Sequence, residues 1–413
     1  MASPEIAHGL CTRALAHTAR AGASRGAAPY WLLVALTAVG PASFQIFLPS
    51  LPAIRDGFGV ATGTAQLALS LSMGGIAVAT LAYGSLADRW GRRPTLLAGM
   101  ALMLLGSLLC ATAPSIGVLI LGRIVQAAGG AAGMVVTRAI VLDVYGRDGA
   151  RHVMANLLAA MMIAPMLATP VGGFLSDAAS WRVTFAVTAA AAGASLLAVL
   201  FLLPETGGRA AEGAREGVLA SYRRLLSSPS FDGFAFQGAF AMAAFMAFST
   251  GAPYALGGEL GLSASRMGLV FVVVSLGFAA GSLAAGRLPD GIDDARRVRW
   301  GGLAALGAAL LGLGFAVTGV WTVPALVGPA TLFAAAVGIT LPASQTGAIS
   351  AEPGLSGAAS GLSGFLGTAV GAATAQVGGV LSDGTPLPVA GLMAGMAALS
   401  VAAALLLRRP APR

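Results

Sequence analysis

The sequence predicts an all-α membrane protein with twelve transmembrane helices arranged as two six-helix bundles. The first observation is composition. The 413 residues are 57% hydrophobic and only 10% charged, and their mean hydropathy is +0.83. A soluble chain is about one quarter charged, so these residues lack the charge needed to cover a water-facing surface. A transmembrane helix needs about 20 apolar residues, so this length allows about a dozen spans.

The second observation is the spacing of the apolar runs. They fall at about 30–51, 66–87, 94–113, 115–142, 153–176, 182–203, 231–256, 266–287, 298–319, 321–347, 355–381 and 386–407. The charged stretch 204–230 divides them six and six, and we interpret it as a solvated linker between bundles at 30–203 and 231–407. Residues 1–29 and 408–413 are interpreted as polar tails. The repeated stretches Gly84–Ala87 and Gly281–Ala284 end the second run of each half, which favours a duplicated bundle.

The third observation is the distribution of arginine, which predicts the orientation in the membrane. If both termini are cytoplasmic, the inner segments carry nineteen arginines and the outer loops carry three, namely Arg55, Arg182 and Arg266. We therefore expect both termini inside. The N-terminal tail lacks the apolar core of a signal peptide, so we expect it to be retained.

Several classes of function are excluded. The net charge of +8 is spread over short loops and forms no stripe, so nucleic acid is not an expected partner. No metal-ligand cluster or nucleophile–base pair is recognisable, so we expect neither a cofactor nor an enzyme. All 24 basic residues are arginine. The sequence therefore has no phosphate-binding loop of the kind that requires lysine. We accordingly do not expect an ATP-driven pump. Cys11 and Cys110 lie in a polar tail and an apolar span, so we expect no disulfide.

The sharpest motif, Gly-Ser-Leu-Ala-Asp-Arg-Trp-Gly-Arg-Arg, occupies 84–93, between the second and third spans. Gly84 permits close helix approach and Gly91 permits a tight turn. Asp88 can cap a helix or pair with an arginine, while Arg92 and Arg93 keep the loop in the cytoplasm. Such a charged loop can act as a conformational latch at the inner face.

The fourth span carries Arg123 about 12 Å from its outer end, at 1.5 Å per residue. A charge at this depth is costly unless it faces a cavity or a partner, so a functional role is the default interpretation. Gln126 and Gly130 share its helix face. The alternative is a structural arginine bonded to helix-end carbonyls. Arg138, nearer the inner end, either pairs with Asp143 or reaches the interface.

The fifth span contains Pro165, Pro170, Gly172 and Gly173, which we interpret as a hinge. Proline and glycine kink a helix and let neighbours approach closely. Both residues are also common in membrane helices in general.

Together these segments resemble the major facilitator superfamily. Residues 84–93 match its signature G-x-L-x-D-R-x-G-R-R, and 123–130 resemble its R-x-x-Q-G segment. The span 5 sequence looks like a degraded form of the motif of its exporters. Residues 40–52 and 251–266 resemble the Bcr/CflA-type multidrug efflux branch. The resemblance implies the major facilitator fold, a latch in which Asp143 pairs with Arg89 or Arg92, and proton coupling through Arg123.

One position departs from that branch, where an aspartate is common in span 1. This chain has Gln45, and glutamine carries no proton at physiological pH. The nearest acids lie at span ends or in loops and are Asp143, Asp177, Asp232, Glu259, Glu352 and Asp383. The residues that we expect at a substrate cavity or in coupling are Gln45, Phe47, Arg123, Gln126, Gln237, Tyr254 and Gln345.

The resemblance implies a monomeric transporter of the bacterial inner membrane. It would export small amphiphilic or drug-like molecules by alternating access, in exchange for protons. Two alternatives remain open: a metabolite or siderophore carrier of the same fold, and a membrane sensor that has lost transport.

Overall fold

The computed structural model describes residues 29–206, 218–289, 292–352 and 355–407. These residues form helices and connecting turns, with no strand among them. Twelve helices within the described ranges are long and apolar enough to cross a membrane. The predicted fold class is therefore confirmed. Most of the predicted tails, and residues 207–217 of the predicted linker, lie outside the described residues.

The spans are numbered in chain order. They are Tyr30–Phe58, Thr62–Trp90, Arg92–Ala111, Ile116–Tyr145, Asn156–Ala178, Trp181–Leu202, Pro229–Gly257, Ala264–Ala285, Asp294–Val317, Val323–Ser350, Gly357–Leu381 and Pro386–Leu405. The described end of the linker contains a short helix, Val218–Leu225, which the sequence analysis did not predict.

Span 1 is longer than expected because a second helical part follows a break in the first. Its first part is Tyr30–Gln45, followed by a 3-10 turn at Leu48–Ser50 and a second part at Leu51–Phe58. Pro49 and Pro52 have no N–H to donate to the preceding turn, so regular helical bonding is interrupted between the two parts. The break leaves carbonyl groups of the first part without helical partners, in the middle of the protein.

Helical bonding runs without a gap from Ile116 to Ala178, through spans 4 and 5. The chain nevertheless reverses between them. Gly130 packs against Gly40, and Gly172 packs against Ile46. In a straight helix the two glycines would be about 63 Å apart, whereas Gly40 and Ile46 are about 9 Å apart along span 1. Spans 4 and 5 therefore run in opposite directions.

The twelve spans pack as two related bundles. In the first, span 3 packs against spans 4 and 6, and spans 1 and 2 pack against the helix of spans 4 and 5. In the second, span 9 packs against spans 10 and 12, and spans 7 and 8 pack against span 10. Each span of the first bundle therefore packs in the same way as the span numbered six higher in the second bundle. This is the pattern expected of a duplicated half.

The two bundles contact each other mainly through two helix pairs. Span 2 packs against span 11, and span 5 packs against span 8. These pairs are also equivalent under the six-position shift. Contacts at both pairs use glycine. A Cβ at Gly268 of span 8 would lie 2.6 Å from the Cα of Pro170, and a Cβ at Gly379 of span 11 would lie 2.5 Å from the Cβ of Gln66. Small residues allow this approach where lipid offers no hydrophobic drive for helix association.

Candidate functional site

A cavity of about 630 Å³ lies between the two bundles. Such a volume suits a drug-sized molecule. Spans 1, 2, 4 and 5 line it on one side, and spans 7, 10 and 11 line it on the other. Six methionines contribute to its wall, and their flexible side chains adapt to ligands of varied shape. The methionines at the cavity are Met73, Met134, Met161, Met162, Met242 and Met246.

The cavity reaches towards the end of the bundle that carries the span 2–3 loop. Its lining follows span 4 from Arg123 to Arg138, and it includes the last turns of span 10 and the first turns of span 11. At this end the facing helices are separated. A Cβ added at Gly84 of span 2, or at Gly364 of span 11, would meet no atom within 4 Å. The close helix approach expected at Gly84 is therefore absent in this conformation.

The opposite end, which carries the span 1–2 loop, is closed by contacts between the bundles. Asp177, near the end of span 5, accepts backbone hydrogen bonds from Ala264 (3.1 Å) and Ser265 (2.8 Å) at the start of span 8. A carboxylate at this position satisfies N–H groups that have no partner within the helix, and it faces the positive end of the helix dipole.

The second closing pair is spans 2 and 11. The Ser70 hydroxyl donates to Gln376 Oε1 at 2.7 Å, and Gln376 Nε2 donates to the Gly63 carbonyl at 3.1 Å. A third contact joins spans 1 and 7, where the Arg55 guanidinium lies 5.7 Å from the ring centroid of Tyr254. All three are polar contacts across the two bundles, so they can form and break as the bundles move.

Arg123 is fully buried at the cavity wall, 0% exposed. Its Nη1 donates to Gln126 Oε1 at 2.5 Å and to the Ser43 carbonyl at 3.3 Å. Ser43 lies in the last turn of the first helix of span 1, so Arg123 supplies a donor to a helix-end carbonyl. Among the described residues it forms no ion pair.

Aromatic rings provide the rest of the environment of this guanidinium. Its Cζ lies 3.9 Å from the ring centroid of Phe47, 5.7 Å from that of Phe44 and 5.9 Å from that of Phe185. The face of an aromatic ring attracts a cation. Arg123 therefore stays inside the protein through ring faces and dipoles, without a carboxylate.

Gln126 extends this polar network into spans 3 and 6. Its Nε2 donates to the Ser107 hydroxyl at 2.8 Å and to the Thr188 hydroxyl at 3.0 Å. The amide orients its oxygen towards Arg123 because both of its donors are occupied. Arg123 and Gln126 share a face of span 4, as the sequence indicated.

The other expected cavity residues divide into two groups. Gln45 and Gln345 line the cavity from opposite bundles, and Gln45 has a buried side-chain oxygen without a hydrogen-bond partner. Gln237 and Tyr254 do not line it, and neither do Phe47 and Gln126, which contact Arg123. Gln237 is bonded to Ser344 and Ser400 inside the second bundle. Tyr254 belongs to the closed end.

In the span 2–3 motif, Arg92 connects two carboxylates. Its Nη1 lies 2.6 Å from Asp88 Oδ1, and its Nε lies 3.0 Å from Asp143 Oδ2 at the end of span 4. Asp143 thus contacts Arg92, one of its two expected partners, and is not bonded to Arg138. The Arg138 Nη2 lies 3.3 Å from the sulfur of Met161. The side chain of Arg89 is exposed.

Glu205, just beyond span 6, is a contributor that the sequence analysis missed. Its carboxylate accepts the backbone N–H groups of Arg92 (2.9 Å) and Arg93 (3.3 Å) at the start of span 3. Gly91 adopts a φ of +98° there, and a Cβ on it would lie 2.7 Å from Glu205 Oε2. Glycine is therefore required by both backbone conformation and space. An isolated glutamate beyond a span gives no sequence signal for this role.

The proline and glycine residues of span 5 make close contacts without breaking the helix. A Cβ at Gly172 would overlap the Ile46 carbonyl oxygen of span 1, and one at Gly173 would overlap the Ala264 carbonyl oxygen of span 8. Pro165 lines the cavity. This segment therefore joins the first bundle to the second at the closed end.

Among the described residues, none of the acids outside the latch belongs to the cavity lining. Glu352 pairs with Arg224 at 3.4 Å. In the span 11–12 loop, hydrogen bonds from the Thr385 hydroxyl and backbone lower the pKa of Asp383, so it stays ionised at neutral pH. Asp232, in the first turn of span 7, differs from these because its Oδ1 is buried and has no hydrogen-bond partner.

Two related helical bundles around a cavity that is closed at one end define a class of protein, the secondary transporters that work by alternating access. The sequence model of the Major Facilitator Superfamily matches residues 33–375, and the chain belongs to this superfamily. It is a family of transporters and not a class of enzyme.

Individual relatives agree with this assignment. The chain is 29% identical over 341 residues to multidrug resistance protein D of Escherichia coli K12, covering 81% of this chain and 84% of the relative. It is 26% identical over 249 residues to a bicyclomycin resistance protein homolog of Haemophilus influenzae, covering 59% and 63%. The resemblance to the Bcr/CflA-type branch is thereby confirmed.

Among solved structures, a bacterial homolog of the human lysosomal transporter Spinster, in an inward-facing and unoccupied conformation, has the same fold. The TM-score is 0.70 at 17% identity, over 92% of this chain and 95% of that one.

Proposed function

We propose that this protein exports small amphiphilic, drug-like molecules across the bacterial inner membrane by alternating access. The observation that carries the proposal is the methionine-lined cavity between the bundles, closed at one end by contacts that cross between them. Relatives that are named for multidrug and bicyclomycin resistance support export as the direction. The protein acts as a monomer in the bilayer, since the cavity is complete within one chain.

The orientation belongs to the same proposal. The excess of arginine in the segments on that side supports a cytoplasmic position for the span 2–3 loop. The conformation described above is then open to the cytoplasm and ready to receive substrate from inside the cell. The latch formed by Asp88, Arg92 and Asp143, with Glu205 at the start of span 3, keeps the inner end of the first bundle rigid as the bundles rock. Pro165, Pro170, Gly172 and Gly173 act as the hinge against spans 1 and 8.

We propose that export is coupled to proton entry through Asp232. A proton carrier has to change protonation state during the cycle, and an acid held in an ion pair or by several N–H donors resists protonation. Asp143, Asp177, Glu352 and Asp383 are held in these ways. Asp232 has a buried oxygen without a partner, one turn before Phe234 and Ala235 of the cavity lining.

The test uses purified protein in liposomes that contain a pH-sensitive dye. With an imposed pH gradient, chloramphenicol, an uncharged amphiphile, is expected to accelerate collapse of the gradient. Asp232→Asn is expected to abolish proton movement while chloramphenicol binding persists. Glu259→Gln, an exposed acid at the other end of span 7, is the matched control and should behave as wild type.

Three results would each contradict a part of the proposal. Chloramphenicol flux without proton movement would leave export in place and remove the antiport mechanism. Proton movement that persists in Asp232→Asn would exclude this residue as the carrier. Absence of flux for chloramphenicol and for a panel of amphiphiles would favour the sensor alternative.

A further inference from the structure

The charge of the cavity is the feature that remains unexplained. Two charged side chains line it, Arg123 and Arg138, and both are cations. None of its described lining residues is an aspartate or a glutamate. Arginine remains protonated at any physiological pH. The wall of this cavity is therefore positive.

The charge on Arg123 is not cancelled by its surroundings. Its partners are the Ser43 carbonyl, the Gln126 amide and aromatic rings, and all of them are neutral. These groups stabilise the guanidinium, but they leave its unit charge at the wall. The same contacts place a cation against the rings of Phe44 and Phe47, and its like charge opposes the binding of a cationic ligand at these rings.

Arg138 adds a second charge nearer the wide end of the cavity. Its side chain is exposed at the lining, and its described contact is with the sulfur of Met161. Asp143, the nearest acid in sequence on span 4, is bonded to Arg92. No carboxylate therefore reaches over Arg138 within the described part of span 4.

We propose that this cavity selects uncharged and anionic amphiphiles and rejects organic cations. The proposal rests on the proposed function and specifies its substrate class. At an effective dielectric constant of about 20, one guanidinium about 8 Å away changes the affinity for a singly charged ligand about 30-fold. An anion gains this factor, and a cation loses it. Gln45 and Gln345 leave this charge unbalanced because each is a neutral side chain at a lining position.

The test compares two ions of nearly the same size and shape, tetraphenylborate and tetraphenylphosphonium. Binding is measured at equilibrium on protein in nanodiscs, with empty nanodiscs subtracted. We expect tetraphenylborate to bind at least 30-fold more tightly than tetraphenylphosphonium. Equal binding, tighter binding of the cation, or no binding of the anion would overturn the proposal.

Charge-changing variants then locate the effect. Gln45→Glu and Gln345→Glu each place a carboxylate in the cavity with little change in volume, one in each bundle. Each is expected to raise affinity for tetraphenylphosphonium about 10-fold and to lower affinity for tetraphenylborate. Gln345 is exposed, so its variant tests the proposal even if Gln45→Glu does not fold.

The matched control is Arg287→Gln, an exposed position at the end of span 8. It changes the net charge by the same one unit but lies away from the cavity, so both affinities should stay as in wild type. Affinities that fail to change in both cavity variants would contradict the proposal. Binding of these ions is measured without transport, whereas chloramphenicol flux in liposomes measures transport itself. A loss of transport and a loss of charge selectivity are therefore seen in different assays.

Discussion

The contact between Asp177 and span 8 gives a quantitative prediction about conformation. The carboxylate accepts two backbone hydrogen bonds across the bundles, at 3.1 and 2.8 Å. An anion at an exposed helix N-terminus stabilises it by about 0.3–1 kcal/mol. Hydrogen bonds to a charged group contribute about 1.5–3 kcal/mol each, and exposure to solvent lowers that contribution. Asparagine keeps one acceptor oxygen and loses the charge. We therefore expect Asp177→Asn to weaken the contact between spans 5 and 8 by about 1 kcal/mol.

This loss applies only to the conformation in which the span 1–2 end is closed. It therefore shifts the equilibrium towards the opposite conformation about fivefold, since 1.4 kcal/mol is a factor of ten. The assay is double electron–electron resonance between spin labels at Ala179 and Glu259. Both positions are exposed and lie at this end, one in each bundle. The background carries Cys11→Ser and Cys110→Ala so that only the labelled cysteines react.

The control is Asp383→Asn, the same substitution at the same end. Asp383 bonds to Thr385 in its own loop, so its loss should leave the distance distribution as in wild type. A longer-distance population that grows about fivefold in Asp177→Asn alone supports the reasoning. An unchanged distribution, or the same change in both variants, would refute it.

Three further predictions concern the first bundle. Gly172→Ala should lower the free energy of unfolding by about 1–3 kcal/mol, because the added Cβ would overlap the Ile46 carbonyl oxygen. Gly74→Ala is the control, since a Cβ at this position would meet open space. Equal melting temperatures for the two variants would contradict this expectation. Asp88→Asn should slow chloramphenicol export while expression in the membrane is unchanged, since Arg92 loses one of its two carboxylates; full export would exclude the latch. Arg123→Ala should abolish export, as measured in liposomes, because a fully buried donor and its ring contacts are lost together.

The fold was predictable from the sequence because lipid constrains it strongly. A span has to be about 20 apolar residues long, so twelve runs give twelve helices. The pairing of Arg123 with Gln126 was also predictable, since residues three apart share a helix face. The break in span 1 was missed, although Pro49 and Pro52 carry a local signal for it. Glu205 was missed because its partners are more than 100 residues away in sequence.

Which of the expected residues face the cavity was not predictable from the sequence. Within a span, a glutamine or a tyrosine has the same sequence signature whether it faces a cavity or a neighbouring helix. Gln237 faces Ser344 and Ser400, and Tyr254 faces Arg55 at the closed end. Which face is which depends on the rotation of each helix within its bundle, and packing sets that rotation. A single sequence does not contain this information.

Alternating access requires the closed end to open during each cycle, and a reversible cross-link at that end prevents this opening. A Cβ at Gly63 would lie 3.5 Å from the Cα of Val380, so Gly63→Cys with Val380→Cys places two thiols within disulfide range of each other. The measurement is chloramphenicol counterflow in liposomes, in the background without native cysteines. We expect no counterflow after oxidation and full recovery of counterflow after reduction. Counterflow at the same rate in the oxidised and reduced protein would contradict it.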